Sequence, residues 1–290
     1  RGFGNLGTCC GGTGLESHQK FQDSIYFRAV DNSTLYVNLY LPSTLNWHER
    51  RVVVHQSTAY PTDPRGETTL RIVGSARFAL KLRVPYWVRA GFTVRVNGVR
   101  QPLAATAGEY VTVHRQWHTG DTVAITMPFT LRTERALDQP QTQALAYGPV
   151  PMVTLDPATS YRSYTLYPNL GLRGDLARVL APGGSPMEFR SGADTVRPFY
   201  VADTSAYHVY FHRSEPGIVF GGADTGVPNV AGADGLTFLD VLWSAAPFAG
   251  QAQFRRAVRG TAAAFVRAGL LSGDQAHRVA GVADRVILGP

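Results

Sequence analysis

The sequence predicts a mainly β protein, an antiparallel β-sandwich with a small helical hairpin at its C-terminal end. Three observations carry this. From about residue 24, apolar residues recur with period two in one short run after another, with no helical pattern between the runs. Turn formers are abundant, with 30 glycines and 18 prolines in 290 residues, as many short strands require. Asn97-Gly98 sits between alternating hydrophobics, a strong hairpin signal because both central residues of such a turn take positive φ.

In order along the chain, Thr13-x-x-Glu16 fits a capping box and predicts a helix from about Gly14 to Gln22. The period then changes to two. Ser24-Ile25-Tyr26-Phe27 begins the strands, and Leu35, Val37, Leu39 and Leu41 alternate cleanly after a turn at Asp31-Asn32-Ser33. Further strands are predicted at 51–56, 68–73, 78–85, 92–96, 110–114 and 122–127. Residues 156–195 are poorly periodic, and strand character returns at 198–201 and 207–211.

From Gly221 glycine and aspartate dominate, and the segment reads as a linker whose aspartates are turn residues rather than a calcium loop. Phe254, Val258, Ala262 and Phe265 then fall on one face of a helix over 251–268, with Gly269 as its C-cap. Ser272-x-x-Gln275 opens a last helix to about Leu288. The domain organisation read this way is 1–23 an opening helical segment, 24–155 a β-sandwich, 156–220 a second β region closing the same sheet system, 221–235 a linker and 236–290 a helical tail.

The net charge is +7, enough to draw anionic polymers to the surface. The arginines are scattered along alternating strands rather than blocked, which reads as solvated strand faces and points away from nucleic acid. No apolar run is long enough to span a membrane. The chain opens on Arg1 without a methionine and carries no signal peptide, so it reads as a processed or truncated piece; a secreted and a cytoplasmic bacterial location both fit.

Chemistry concentrates at Thr8-Cys9-Cys10-Gly11-Gly12, where both cysteines of the chain stand side by side. Neighbouring Cα atoms sit about 3.8 Å apart, closer than the roughly 4.4–6.8 Å a disulfide spans. Two adjacent thiols beside a helix start point to a soft metal site, a reactive thiolate, or both. The alternative is two small buried hydrophobes beside a turn. Glu16 reads first as the helix cap. Trp47, Trp87 and Trp117 are candidates to stack on sugar rings, with core positions the commoner use of such residues.

Cys9-Cys10-Gly11-Gly12-Thr13-Gly14-Leu15-Glu16, Lys20-Phe21-x-Asp23-Ser24-Ile25-Tyr26, Leu35-Tyr36-Val37-Asn38-Leu39-Tyr40, Leu82-Arg83-Val84-Pro85-x-Trp87, Val94-x-Val96-Asn97-Gly98, Trp117-x-x-Gly120-Asp121 and Tyr147-Gly148-Pro149 follow one another in this order. Together they resemble the β-L-arabinofuranosidase group, glycoside hydrolase families 127 and 146, over roughly residues 1–215. The resemblance implies an (α/α)6 catalytic barrel followed by β-sandwich domains. Residues 1–23 would be the end of that barrel, and the rest of the barrel a missing N-terminal partner. It implies zinc as cofactor, Cys9 as nucleophile and zinc ligand, and Cys10 as a second ligand. The third cysteine ligand and both glutamates have no counterpart in this chain, and Glu16 matches neither. His18 is a weak candidate for a substrate contact. An arabinose-containing oligosaccharide or glycan is the implied substrate. The alternative is a non-catalytic carbohydrate-binding or structural β-sandwich.

Overall fold

In a computed structural model, residues 9–202 and 205–290 are described, apart from the side chains of residues 9–11 and 18. The chain is mainly β, in several sheets, with a helical region at its C-terminal end. It divides into two compact units, Arg1–Pro128 and Phe129–Pro290.

The first unit opens with helix α1 (Cys9–Asp23). The capping-box expectation fails here: Thr13 to Glu16 lie inside the helix, and the Ser17 hydroxyl donates to the Thr13 carbonyl at 2.8 Å. Once the helix extends back to Cys9, the Thr13 carbonyl is an interior acceptor and Glu16 an exposed helical residue.

Ten strands follow in this unit: β1 (Tyr26–Arg28), β2 (Thr34–Val37), β3 (Ser43–Trp47), β4 (Val52–Thr58), β5 (Glu67–Val73), β6 (Ala76–Arg83), β7 (Thr93–Val96), β8 (Val99–Arg100), β9 (Tyr110–Trp117) and β10 (Thr122–Thr126). They form a four-stranded sheet in the order β1-β2-β6-β9 and a six-stranded sheet in the order β3-β4-β5-β10-β7-β8. Alternation explains the sandwich. Leu35, Val37, Leu80, Leu82, Val111 and Val113 from one sheet, and Val52, Val54, Leu70, Ile72, Val94, Val96, Val123 and Ile125 from the other, are all buried. Trp47 of β3 meets Phe78 of β6 edge-on at 5.2 Å, joining the two sheets, and Phe78 stacks on Trp117 at 5.7 Å.

Trp47, Trp87 and Trp117 are 3%, 3% and 0% exposed, so all three are core residues rather than exposed sugar platforms. The Trp117 indole N–H is satisfied by the Phe78 carbonyl at 3.1 Å. The Asn97-Gly98 hairpin is present, with φ of 50° and 81°. In this unit one pairing departs from a purely antiparallel arrangement: β2 runs parallel to β6, with Leu35 opposite Leu80. Strands β3, β4 and β5 belong to the other sheet and form the crossover between them.

The second unit contains β11 (Leu131–Arg135), β12 (Thr142–Tyr147), β13 (Val150–Leu155), β14 (Arg162–Tyr164), β15 (Ala181–Pro182), β16 (Phe189–Ser191), β17 (Asp194–Pro198), β18 (Tyr207–His208) and β19 (Tyr210–Arg213) in a nine-stranded sheet. The expected division at residue 155 is not the one the sheets make. β12 pairs with β19, and β13 pairs with β17 and β18, so the strands from residue 131 onward hydrogen-bond with strands later in the chain.

The expected linker at 221–235 is also corrected. β20 (Gly217–Phe220) and β21 (Ala223–Pro228) form a hairpin through Gly221-Gly222, whose φ values of 55° and 80° suit a two-residue turn. Asp224 and Asp234 accept backbone N–H groups two residues on, at 2.9 and 3.0 Å, as turn residues do.

The tail has three helices rather than two: α2 (Phe238–Ser244), α3 (Gln251–Arg267) and α4 (Gly273–Arg285). Capping boxes at Thr237/Asp240 and Ser272/Gln275 open α2 and α4. Phe254 and Phe265 are core, packed with Phe220, Phe238, Trp243 and Phe248. A buried carboxylate fixes α2 to the nine-stranded sheet. Asp240 accepts from Arg135 Nε at 3.1 Å, Tyr167 Oη at 3.3 Å and Gln143 Nε2 at 3.4 Å, and pairs with the Arg213 guanidinium.

Candidate functional site

Cys9 and Cys10 fall at the beginning of α1 as described, and His18 lies further along it. The thiols and the imidazole themselves lie outside the described residues. Among the described residues no group of three His, Cys, Asp or Glu side chains is gathered to hold a metal ion. A tetrahedral zinc site takes four ligands. The donor chemistry of two adjacent cysteines suits zinc, but the described residues do not complete its ligand set.

The described part of the first unit does contain a concave site that the sequence reading missed. A cavity of about 300 Å³ lies where the end of α1 meets the segments after β2, β4 and β6. Three stretches build it. Phe21 comes from the last turn of α1, residues 38–41 from the end of β2, and Arg83, Pro85, Tyr86 and Trp87 from the end of β6 and the turn after it; Tyr60 completes the wall.

Its aromatic floor is fixed. Tyr60 and Trp87 stack with ring centroids 6.2 Å apart and planes 16° from parallel, and the two side chains are also hydrogen-bonded. Burial pushes the Tyr60 hydroxyl up to about 12 from its ordinary 10.0. Tyr40 is buried as well and donates to the Arg83 carbonyl at 2.6 Å, and burial raises its hydroxyl further still. Both phenols are therefore neutral at physiological pH and serve as hydrogen-bonding and stacking groups rather than bases.

The rim is more open. Tyr86 is 61% and Phe21 53% exposed. Asn38 is held by its amide N–H on the Ser24 carbonyl at 3.0 Å and by the Tyr110 hydroxyl on its Oδ1 at 2.7 Å. Period-two alternation decides which way Arg83 faces. Leu80 and Leu82 turn into the sandwich, so Lys81 and Arg83 turn out, opposite Thr112 and Tyr110 of β9. On that outer face Lys81 Nζ lies 5.2 Å over the Tyr36 ring, and Tyr36 meets Tyr110 edge-on at 5.5 Å. The face is cationic and aromatic. A sequence signal existed in Leu82-Arg83-Val84-Pro85-x-Trp87. Tyr60, Phe21 and Asn38 stand too far away in sequence for any local pattern to group them with it.

Residues 34–129 match the family model described as β-L-arabinofuranosidase, GH127 middle domain. Among solved structures, a GH127 β-L-arabinofuranosidase from Geobacillus stearothermophilus T6 is 21% identical with a TM-score of 0.51, over 71% of this chain and 37% of that one. A protein described as a glycoside hydrolase is 18% identical with a TM-score of 0.53, over 72% of this chain and 40% of that one. A GH127 β-arabinofuranosidase is 21% identical with a TM-score of 0.54, over 71% of this chain and 38% of that one. At these identities the structural likeness is one of fold. The chain spans about two fifths of the length of the solved structures it matches. A search of the curated proteins finds no match. By its motifs, by the sequence of residues 34–129 and by fold over about seven tenths of its length, the chain is thus similar to the β-L-arabinofuranosidases of glycoside hydrolase family 127.

Proposed function

We propose that this chain forms the β-sandwich portion of a retaining glycoside hydrolase of β-L-arabinofuranosidase type. The observation that carries the reading is the match of residues 34–129 to the middle domain of that family, with the Cys9-Cys10-Gly11-Gly12 motif upstream of it in the same chain. In this reading Cys9 is the nucleophile and, with Cys10, a zinc ligand, and His18 at most touches substrate. The remaining ligands and the acid/base glutamate come from a helical barrel that precedes these domains in the family. Zinc, when bound, would keep the thiols ionised at neutral pH.

The Cys9 thiolate then attacks the anomeric carbon of an arabinofuranoside in a glycan. The C–O bond to the leaving group breaks as the acid protonates that oxygen. Water, deprotonated by the same carboxylate, later displaces the sulfur with net retention. The isolated chain, lacking the acid/base, is expected to bind zinc weakly and to hydrolyse nothing.

The test measures zinc content and hydrolysis of a β-L-arabinofuranoside on the 290-residue chain and on the same chain joined to a preceding helical barrel, each with and without Cys9→Ser. Activity only in the joined protein, abolished by Cys9→Ser, supports the reading. Hydrolysis by the chain alone, or an active Cys9→Ser variant of the joined protein, refutes it.

A further inference from the structure

We infer that the cavity at the end of α1 binds a glycosyl unit carrying a carboxylate, a uronic acid residue. The choice of a sugar rests on the glycan reading above; the choice of an acidic one rests on the cavity itself. Arg83 is its one charged lining residue. Among the described residues its guanidinium has neither an ion pair nor a hydrogen bond. Elsewhere in the unit Arg28, Arg65 and Arg115 each meet a carboxylate, Glu49 at 3.0 Å, Asp63 at 2.6 Å and Asp121 at 3.7 Å. A half-buried guanidinium beside stacked rings, with no acid to meet it, is arranged for an anion supplied from outside.

The rest of the cavity specifies what carries that anion. The exposed Tyr86 and Phe21 rings give apolar walls, the stack of Tyr60 on the buried Trp87 holds the lining rigid, and Asn38 is pinned in place by two hydrogen bonds. A sugar ring presents C–H faces to aromatic rings and hydroxyls to amides, and the Arg83 fork takes a carboxylate in two parallel hydrogen bonds. The volume of about 300 Å³ stands at the lower end for small-molecule pockets, enough for one glycosyl unit rather than a chain. A net charge of +7 draws acidic glycans towards the protein in the same sense.

The test is titration of the 290-residue chain with a methyl glucuronide or galacturonide, the matching neutral methyl glycosides, methyl arabinofuranoside and benzoate, followed by calorimetry or ligand-observed NMR. The uronide is expected to bind about tenfold or more tightly than its neutral counterpart. Arg83→Gln should erase that difference, Arg83→Lys should restore part of it, and Tyr86→Ala should weaken acidic and neutral sugars alike. Unchanged unfolding midpoints of the Arg83 variants show that they remain folded. Equal binding of neutral and acidic sugars, an Arg83→Gln variant that still discriminates, benzoate binding as tightly as the uronide, or no binding at all each overturns the inference. None of these readouts involves Cys9, so the site can fail while the arabinofuranosidase reading stands, and the reverse.

Discussion

Two sites, one in each unit, use arginine in opposite ways. In the second, Arg135 and Arg213 converge on the fully buried carboxylate of Asp240, whose oxygens are also held by Tyr167, Gln143 and the backbone and hydroxyl of Thr237. In the first, Arg83 lines a cavity with no carboxylate to meet it. The Asp240 cluster is structural: its carboxylate is closed to water and joins a helix to a sheet. The unsaturated arginine is open to a ligand. Burial leaves its mark on the closed cluster, pulling the Arg213 guanidinium below its usual range and pushing the neighbouring Glu215 carboxyl above its own. Charge inside a protein informs about function chiefly where it is left unanswered.

That contrast breaks most sharply at Asp240. Asp240→Ala leaves two guanidinium groups facing a void and should cost about 3–5 kcal/mol in urea unfolding. A loss under about 1 kcal/mol would mean that the cluster is solvated and the contrast false. The first unit should fail instead through lost volume. Trp117→Ala removes a completely buried indole and its hydrogen bond to Phe78, with an expected loss of about 3–5 kcal/mol.

Gly98→Ala sharpens the comparison at the level of backbone. The position has open space around it and a φ of 81°, so the expected cost of about 1–2 kcal/mol is strain alone. Arg83→Gln should change stability least, by no more than about 0.5 kcal/mol, because no partner is stranded.

Alkaline titration treats both units alike. Tyr60 in the first and Tyr164 in the second are each pushed up to about 12 by burial, from an ordinary 10.0. The unfolded chain therefore releases these protons first. Their contribution to stability is intact below pH 10 and is lost as the pH rises to about 12. Unfolding free energies measured across that window, with Tyr60→Phe and Tyr164→Phe as controls, should show a steeper decline in the parent than in either variant.

Much of the fold was legible because it is local. The Asn97-Gly98 turn, the apolar face of α3 and the Ser272 cap all act within a few residues, and all are present; the alternation expected from Leu35 to Leu41 holds at Leu35 and Val37 but ends with β2, after which Tyr40 is buried rather than Leu39 and Leu41. Partner choice was not legible. Nothing near Leu35 says that its neighbour is Leu80 running the same way, or that β11 to β13 pair forward rather than back. The Gly221-Gly222 turn was readable from the apolar Ile218-Val219-Phe220 before it, but the glycine-rich composition masked the short strands on either side. The cavity illustrates the same limit. Its walls come from residues 21, 38–41, 60 and 83–87, and only the last group falls within one motif. Attention to the tryptophans missed Tyr86 and Phe21, which are exposed there.

The parallel pairing of β2 with β6 has a kinetic consequence. β2 emerges early but cannot find its neighbour until three strands of the opposite sheet have been made. The entropy of closing so long a loop is spent before any ladder bond repays it, which places the first unit among slow folders, on the scale of milliseconds to seconds. Until then β2, paired with β1 on one side, waits with its other edge open, and a chaperone or an already folded neighbour would be most useful to the nascent chain in that interval.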